Sequence, residues 1–480
     1  MEQNKIGGII GISASNLVAL SISLLTSFIL PLYISVEQYG YWQLFTLYSG
    51  YLGFFVLGFN DGIHLNYSSC DYNSSIWGKF HTFVKYLIRL TIIETIILIS
   101  IVYFFCEDVS DNNSLYIITL LNIIPTTIYG FFTYTNQATL RFKQYSIGNM
   151  LDKILFAIIM CIMMAYNIKD ATSYMVAFTI VRYICLAYIF LSSKEIIFSK
   201  PYSIYSLKDE IINNYKKGFP LMISIILGGP TLIVGSRFLI KAEYGIEDFS
   251  SYSFSLHTLV IASQFITAVA TVFYPIMKRC KEEELPKMYF SFDKITSIFT
   301  IILLLSYYLA VITIKILYPH YIDILDYFYF IYPLFIYQCK SSALINNIFK
   351  VQNKPNALIL INILGIAIHL ICVYTLFYIF RNIKSVAVGT LIAMAIWYYT
   401  LQIYIYCKSK WQINISLFFD LIICIVFITI NSIISFITDN FYDCILYSLL
   451  TWSGIIITMY LFNKKRIKHI ISEFKYLLSN

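Results

Sequence analysis

Residues 27–68 read SFILPLYISVEQYGYWQLFTLYSGYLGFFVLGFNDGIHLNYS, two apolar segments joined by a short polar turn, the second closing on a polar cluster. From Leu44 to Phe59 no residue carries a charge. With its flanks that run supplies the roughly 20 apolar residues needed to cross a hydrocarbon core of about 30 Å. It then meets Asn60, Asp61, Gly62 and His64. A carboxylate at the end of a membrane span is costly unless it faces water or a partner, so Asp61 is a functional candidate.

The rest of the chain has the same character. Its 480 residues are 59% hydrophobic and only 12% charged, with a mean hydropathy of +0.73, where soluble domains carry about 25% charged residues. This composition is that of an integral membrane protein. The first apolar run has Lys5 as its only preceding basic residue and no A-x-A-like site, and so reads as an uncleaved first span. Ten cysteines are scattered singly with no C-x-x-C spacing, which signals neither a disulfide framework nor a metal site. The formal net charge of +8 is spread over short loops with no nucleic-acid-binding motif, so topology accounts for it better than a nucleic-acid partner.

Apolar runs bounded by charges predict fourteen spans, near 9–33, 43–64, 83–105, 114–135, 149–166, 172–191, 217–240, 252–275, 295–317, 327–348, 357–380, 386–406, 415–437 and 443–462. If the N-terminus is cytoplasmic, most of the 34 Lys and Arg fall in inside segments, ending with a basic tail from Lys464 to Lys475. The outside loops are acidic, at Glu107 and Asp108, Glu243 and Glu247, Asp323 and Asp326, and Asp439 and Asp443. One missed span would invert every later loop, so the bias supports an even count with both ends cytoplasmic. The longest polar segment divides the chain into a six-helix lobe over 1–191, a cytoplasmic linker over 192–216, a second six-helix lobe over 217–406, and two further helices with the tail over 407–480. A weak internal repeat begins each lobe: SFIL (27–30) and VEQYGYW (36–42) align at one offset with RFLI (237–240) and IEDFSSY (246–252). Six spans separate the copies, so the repeat is parallel.

The turn V-E-Q-Y-G-x-W-Q (Val36 to Gln43) after a first helix ending in Pro31, followed by a helix closing on L-G-F-N-D-G-I (Leu57 to Ile63), resembles the N-terminus of bacterial polysaccharide-unit flippases. These are the Wzx-like O-antigen and capsule translocases of the multidrug/oligosaccharidyl-lipid/polysaccharide (MOP) exporter superfamily. The resemblance implies an all-α fold of two six-helix bundles facing a central cavity, with two helices appended. It implies a bacterial inner (cytoplasmic) membrane and an undecaprenyl-pyrophosphate-linked glycan as substrate, moved between leaflets for lipopolysaccharide O-antigen or another surface polysaccharide. A polysaccharide polymerase and a chain-length regulator are the implied protein partners.

Chemistry in such a chain lies in ionisable residues inside spans. No H-E-x-x-H, Walker A or Gly-rich phosphate loop is present, and the outer loops are short. An enzyme and an ATP-driven pump are therefore unsupported, and secondary transport with proton or sodium coupling is the expectation. Arg89, Arg182, Arg237 and Lys340 are candidate lining residues of a cationic cavity. Against them stand snorkelling for Arg237, as for Lys85 beside Arg89, and structural pairing for the others. Arg237 follows GGPTLIVG (228–235), an interruption of the kind that breaks a helix where a site is lined. Asp61 and Glu94 are candidates for ion coupling or charge balance, while Asp152 with Lys153 reads as an interfacial pair and Asp420 as a further opposing charge. His257 and His369 read as hydrogen-bonded core residues. Excess positive charge favours an anionic, pyrophosphate-linked headgroup over a drug cation, because the Arg fork matches phosphate oxygens. A multidrug exporter of the same superfamily is the alternative, and a membrane polymerase the more distant one.

Overall fold

A computed structural model describes residues 2–68, 70, 72–105, 111–260, 277, 280, 283–352, 354–409, 411, 418–437 and 442–457. Among the described residues the chain is helical with no strand, the all-α membrane architecture expected from its apolar runs. It divides into two compact units, Met1–Ile226 and Leu227–Asn480.

The first unit holds α1 (Glu2–Tyr33), α2 (Val36–Tyr51), α3 (Phe59–Tyr67), α4 (Ser74–Phe105), α5 (Asp111–Leu121), α6 (Ile123–Ala138), α7 (Phe142–Ala165), α8 (Ala171–Ser192), the one-turn α9 (Lys194–Ile197) and α10 (Lys208–Ile226). The second holds α11 (Gly229–Leu232), α12 (Val234–Tyr244), α13 over 246–260, α14 (Leu285–Leu303), α15 (Ser306–Leu317), α16 (Leu325–Ile331), α17 (Leu334–Lys340), α18 (Asn346–Val351), α19 (Pro355–Phe380), α20 (Ile383–Ser409), α21 (Phe419–Ile437) and α22 (Tyr442–Ile457). Each of the fourteen expected spans contains helix. The eighth span beyond residue 260, the start of the thirteenth, the end of the fourteenth and the basic tail lie outside the described residues.

Nine helical stretches among the described residues are long and apolar enough to cross a membrane, two of them with a short turn inside, at Asn122 between α5 and α6 and at Leu304–Leu305 between α14 and α15. Three other spans are interrupted, and each interruption has a local cause. In the second span α2 passes into a 3-10 turn at Leu52–Phe54, then Leu57 and Gly58 take positive φ (48° and 80°) before α3 begins. The seventh breaks at Gly228, extended at φ −75°, ψ 172°, with Pro230 opening α11. The tenth is cut by Pro333, which has no N–H to give, and by a π-helical segment at Ser341–Ile345. In hydrocarbon the backbone groups freed by a break must find partners nearby. At the second span they do so through short-range bonds: Leu57 N to Phe54 O at 2.9 Å, Phe59 N to Val56 O at 2.9 Å, and Gly62 N to Gly58 O at 2.9 Å.

The two copies of the expected repeat share one local feature. Ser35 caps α2 by accepting from Gln38 N, and Gly245 (φ 94°) stands between α12 and α13, so both copies of the motif start a helix after a sharp break. The side chains of the first copy are structural. Gln38 Oε1 accepts from the Ala171 N–H at 2.7 Å, tying the start of α2 to the start of α8. Trp42 stacks on Phe156 of α7 at 5.3 Å and meets Phe178 of α8 edge-on at 6.0 Å. Asp170 caps α8 by accepting from Ser173 N at 2.8 Å. Burial pushes the Asp170 carboxyl up, but the bonds from the Ser173 side chain and backbone outweigh it and hold the group below the usual carboxylate range.

The tightest helix contact of the first unit joins α3 to α10. A Cβ on Gly218 would fall on the Gly58 carbonyl, and one on Gly62 would fall on the Asn214 backbone. Glycine at these positions lets two backbones touch, the small-residue packing that substitutes for hydrophobic driving force between helices in lipid. The polar segment over 192–216 is packed too: Thr82 Oγ1 donates to Tyr202 O at 3.0 Å and His81 Nδ1 lies 2.6 Å from Ser199 O, against the first turns of α4.

Two outcomes follow for purified protein in detergent. Gly218→Ala forces α3 and α10 apart and is expected to cost about 1–3 kcal/mol, the usual range for overpacking, read as a fall in unfolding midpoint beside an unchanged Gly50→Ala control. Asp170→Ala is expected to cost about 1 kcal/mol, typical of a lost helix cap. Because the folded-state carboxyl is depressed, that difference is full at neutral pH and shrinks as pH falls through the acid range.

Candidate functional site

Four of the six candidate residues, Asp61, Arg182, Arg237 and Lys340, lie against opposite charges or polar partners, whereas Arg89 and Glu94 make no ion pair among the described residues. In the first unit Arg182 of α8 reaches Asp152 of α7 across the helix pair, NH2 to Oδ2 at 3.6 Å, while Lys153 approaches the same oxygen at 3.1 Å. The Arg182 guanidinium also lies over the Phe178 ring, 5.0 Å from its centre, and its Nε is buried without a hydrogen bond. Asp152 and Lys153, which the sequence suggests are an interfacial pair, are therefore the counter-charges of Arg182. The three together carry one net positive charge. Phe178 holds the guanidinium by face contact and itself packs edge-on against Phe45 and Phe156, within a ring group that includes Trp42.

Arg89 and Glu94, both on α4, do not pair. Arg89 is exposed, and among the described residues no carboxylate lies within ion-pair distance of it. Glu94 is half-buried, with Oε2 enclosed and lacking a hydrogen bond, near Tyr215 of α10, whose hydroxyl is 3.0 Å from that of Tyr86. Asp61 is buried in the first turn of α3, where the positive end of the helix favours a carboxylate. Tyr134 and His64, whose rings lie 5.6 Å apart, are its polar neighbours. Its neighbour Asn60 spends its side-chain amide on the Thr127 carbonyl at 3.0 Å, pinning α3 to α6.

In the second unit Arg237 of α12 donates from Nε to Ser253 Oγ on α13 at 2.9 Å and lies over Phe249 at 5.1 Å. Lys340, the last residue of α17, is wholly buried. Its ammonium donates to Asp293 Oδ1 at 2.8 Å, Ser297 Oγ at 2.6 Å and Asp420 Oδ2 at 2.6 Å. All three of its protons are used, two of them on carboxylates. Asp293 and Ser297 carry no signal of their own in the sequence, lying one turn apart at the entry to an ordinary span. Only the placement of Lys340 within the tenth span, with Asp420 at the start of the thirteenth, hints that a counter-charge is needed. The cluster joins the starts of the ninth and thirteenth spans to the end of the tenth, which is the pairing that alternating spans require.

No protein-family profile matches the chain, and no curated protein sequence is significantly similar to it. Solved structures do share its fold. The lipid II flippase MurJ in an inward closed conformation superposes with a TM-score of 0.69 at 16% identity, covering 96% of this chain and 100% of that one. An inward-facing multidrug resistance MATE family transporter of the MOP superfamily gives 0.64 at 11% identity, covering 82% and 99%. A MOP superfamily transporter from Pyrococcus furiosus, described as having reversed polarity of its binding pocket, gives 0.58 at 12%, covering 84% and 96%. At such identities the likeness establishes the fold, an all-α membrane architecture common to these transporters.

The charge environments separate the candidates experimentally. Lys340→Ala leaves the buried Asp420 carboxylate and the partly buried Asp293 carboxylate without a cation and is expected to cost about 3–5 kcal/mol of stability. Arg89→Ala removes an exposed, unpaired side chain and is expected to stay within about 0.5 kcal/mol. Thermal unfolding of the two variants in the same detergent reads the difference.

Proposed function

We propose that the chain is a secondary transporter of the inner membrane that moves a lipid-pyrophosphate-linked oligosaccharide unit from the cytoplasmic to the outer leaflet by alternating access. The observation that carries this reading is the extent of the likeness to the lipid II flippase, which takes in 96% of the chain, where the MATE structures take in 82–85%. The share that MATE structures leave over is about the size of the two-helix extension over 407–480. A fold matched along nearly all its length by a flippase of a lipid-linked saccharide fits a substrate of that class better than a drug cation.

The charge arrangement supports the same class. The guanidinium of Arg89 is uncommitted to a carboxylate, and Arg182 together with Lys153 outweighs Asp152. A guanidinium with free N–H groups in a poorly hydrated setting takes a pyrophosphate through paired, charge-assisted bonds. Substrate contact is assigned to Arg89, Arg182 and Arg237, and charge balance to Asp61 and Glu94. Lys340 has no proton left to give a phosphate and is assigned elsewhere. A repeat unit of O-antigen or another surface polysaccharide is the intended cargo, and both chain termini are placed in the cytoplasm.

The reading is tested by deleting the gene in its host and following lipid-linked glycan. Cytoplasmic-leaflet accumulation that the wild-type gene relieves is the expected result. Arg89→Ala and Arg182→Ala should restore export at about one tenth of the wild-type rate or less, since a hydrogen bond to a charged group is worth about 1.5–3 kcal/mol. Normal surface glycan in the deletion, with raised drug sensitivity, would instead establish the multidrug exporter.

A further inference from the structure

The Lys340 cluster holds one ammonium and two carboxylates, and so bears a net negative charge in a buried place. Among the described residues no second cation pairs with either carboxylate; Lys294, next to Asp293, is exposed and makes no ion pair. The other titratable groups facing the cluster are Tyr289 from α14, Tyr337 from α17, Tyr398, Tyr399 and Tyr406 from α20, and Cys424 from α21. All are neutral in their ordinary forms, so none supplies the missing positive charge. An uncompensated charge away from water is among the most costly arrangements a protein can hold.

The two carboxylates are not equivalent. Asp420 is almost wholly enclosed, and both its oxygens are satisfied, Oδ2 by Lys340 and Oδ1 by the Ser297 hydroxyl at 3.2 Å. Asp293 keeps 16% of its side chain exposed and receives Lys340 on Oδ1, and among the described residues nothing hydrogen-bonds to its Oδ2. Close by, the buried Tyr289 hydroxyl and Gln402 carboxamide face each other. The ammonium itself, with three oxygens at 2.6–2.8 Å, fills the place a metal cation would take. A π-helical segment starts at the next residue, Ser341, and such segments are common where a helix serves a site.

We propose that this cluster is a proton-binding site of the second unit, with Asp293 Oδ2 as the acceptor and Lys340–Asp420 as the fixed pair. The proton comes from water at the start of the ninth span and converts the Asp293 carboxylate to the acid. The ammonium keeps its three protons, and the cluster becomes neutral. Lys340 acts as a tethered counter-cation, which makes the site selective for a proton over sodium.

Infrared difference spectroscopy of the purified full-length protein tests this without any substrate, so its outcome is independent of the cargo assigned above. A protonated-carboxyl band should grow as pH is lowered, stay the same when sodium replaces potassium, and disappear in Asp293→Asn. That variant mimics the protonated state and should unfold at or above the wild-type temperature at neutral pH, whereas Asp420→Asn should unfold well below it. Ser297→Ala keeps every charge, and should retain the band with a shifted midpoint, which guards against a carboxamide variant that fails to fold. A band that survives in Asp293→Asn, a band that sodium abolishes, or equal destabilisation by the two carboxamides would overturn the proposal.

Discussion

Inside a bilayer a polypeptide cannot leave an N–H or a carbonyl to water, and this requirement shapes the protein more than any single side-chain contact. Among the described residues nine apolar membrane-length stretches meet it with no more than a short turn inside. The second, seventh and tenth spans meet it while broken, through 3-10 bonds around Leu57 and Gly58, a restart at Pro230, and a π turn after Lys340. Irregular backbone is tolerated at membrane depth only where protein or water covers it. The breaks accordingly lie beside the residues with chemistry: Asp61 follows the first, Arg237 the second, and Lys340 stands at the third.

Much of this was legible beforehand. Apolar runs marked out the described membrane-length helices because hydrocarbon thickness imposes a length, and the Gly/Pro group before Arg237 announced its break. The all-α fold followed directly. What was hidden was pairing between distant segments. Asp152 reads as a partner for adjacent Lys153, and only the packing of α7 on α8 turns it towards Arg182. Asp293 looks like a loop residue at the mouth of a span, and nothing in its neighbourhood says that Lys340 will reach it. The period of a helix predicts which face a residue takes, but not which helix will lie opposite.

The motif that carries the family resemblance does work that is mostly structural. Gln38 satisfies the start of α8, Trp42 packs on α7 and α8, and Ser35 begins α2. Those residues set the position of the helix pair that holds Arg182 and Asp152, so the motif bears on the charges at one remove. The charges themselves divide by environment. Arg182 rests on an aromatic face with a surplus of cation, whereas Lys340 is surrounded by a surplus of carboxylate. Four basic residues that look alike in the sequence thus belong to electrostatic settings of opposite sign.

The glycine contact between α3 and α10 also fixes an order of assembly. Gly58 and Gly62 emerge from the ribosome roughly 150 residues before Gly218 and Asn214, the backbone they touch. Until then α3, with its exposed-edge Asn66 destined to bond Asn214 at 2.5 Å, has no cover on that side. A nascent chain with six spans inserted is still an open structure, and only the next segment, through Ile226, closes it. The first unit is therefore completed only by a segment that extends past the sixth span, and a product ending before α10 lacks the backbone that Gly58 and Gly62 touch.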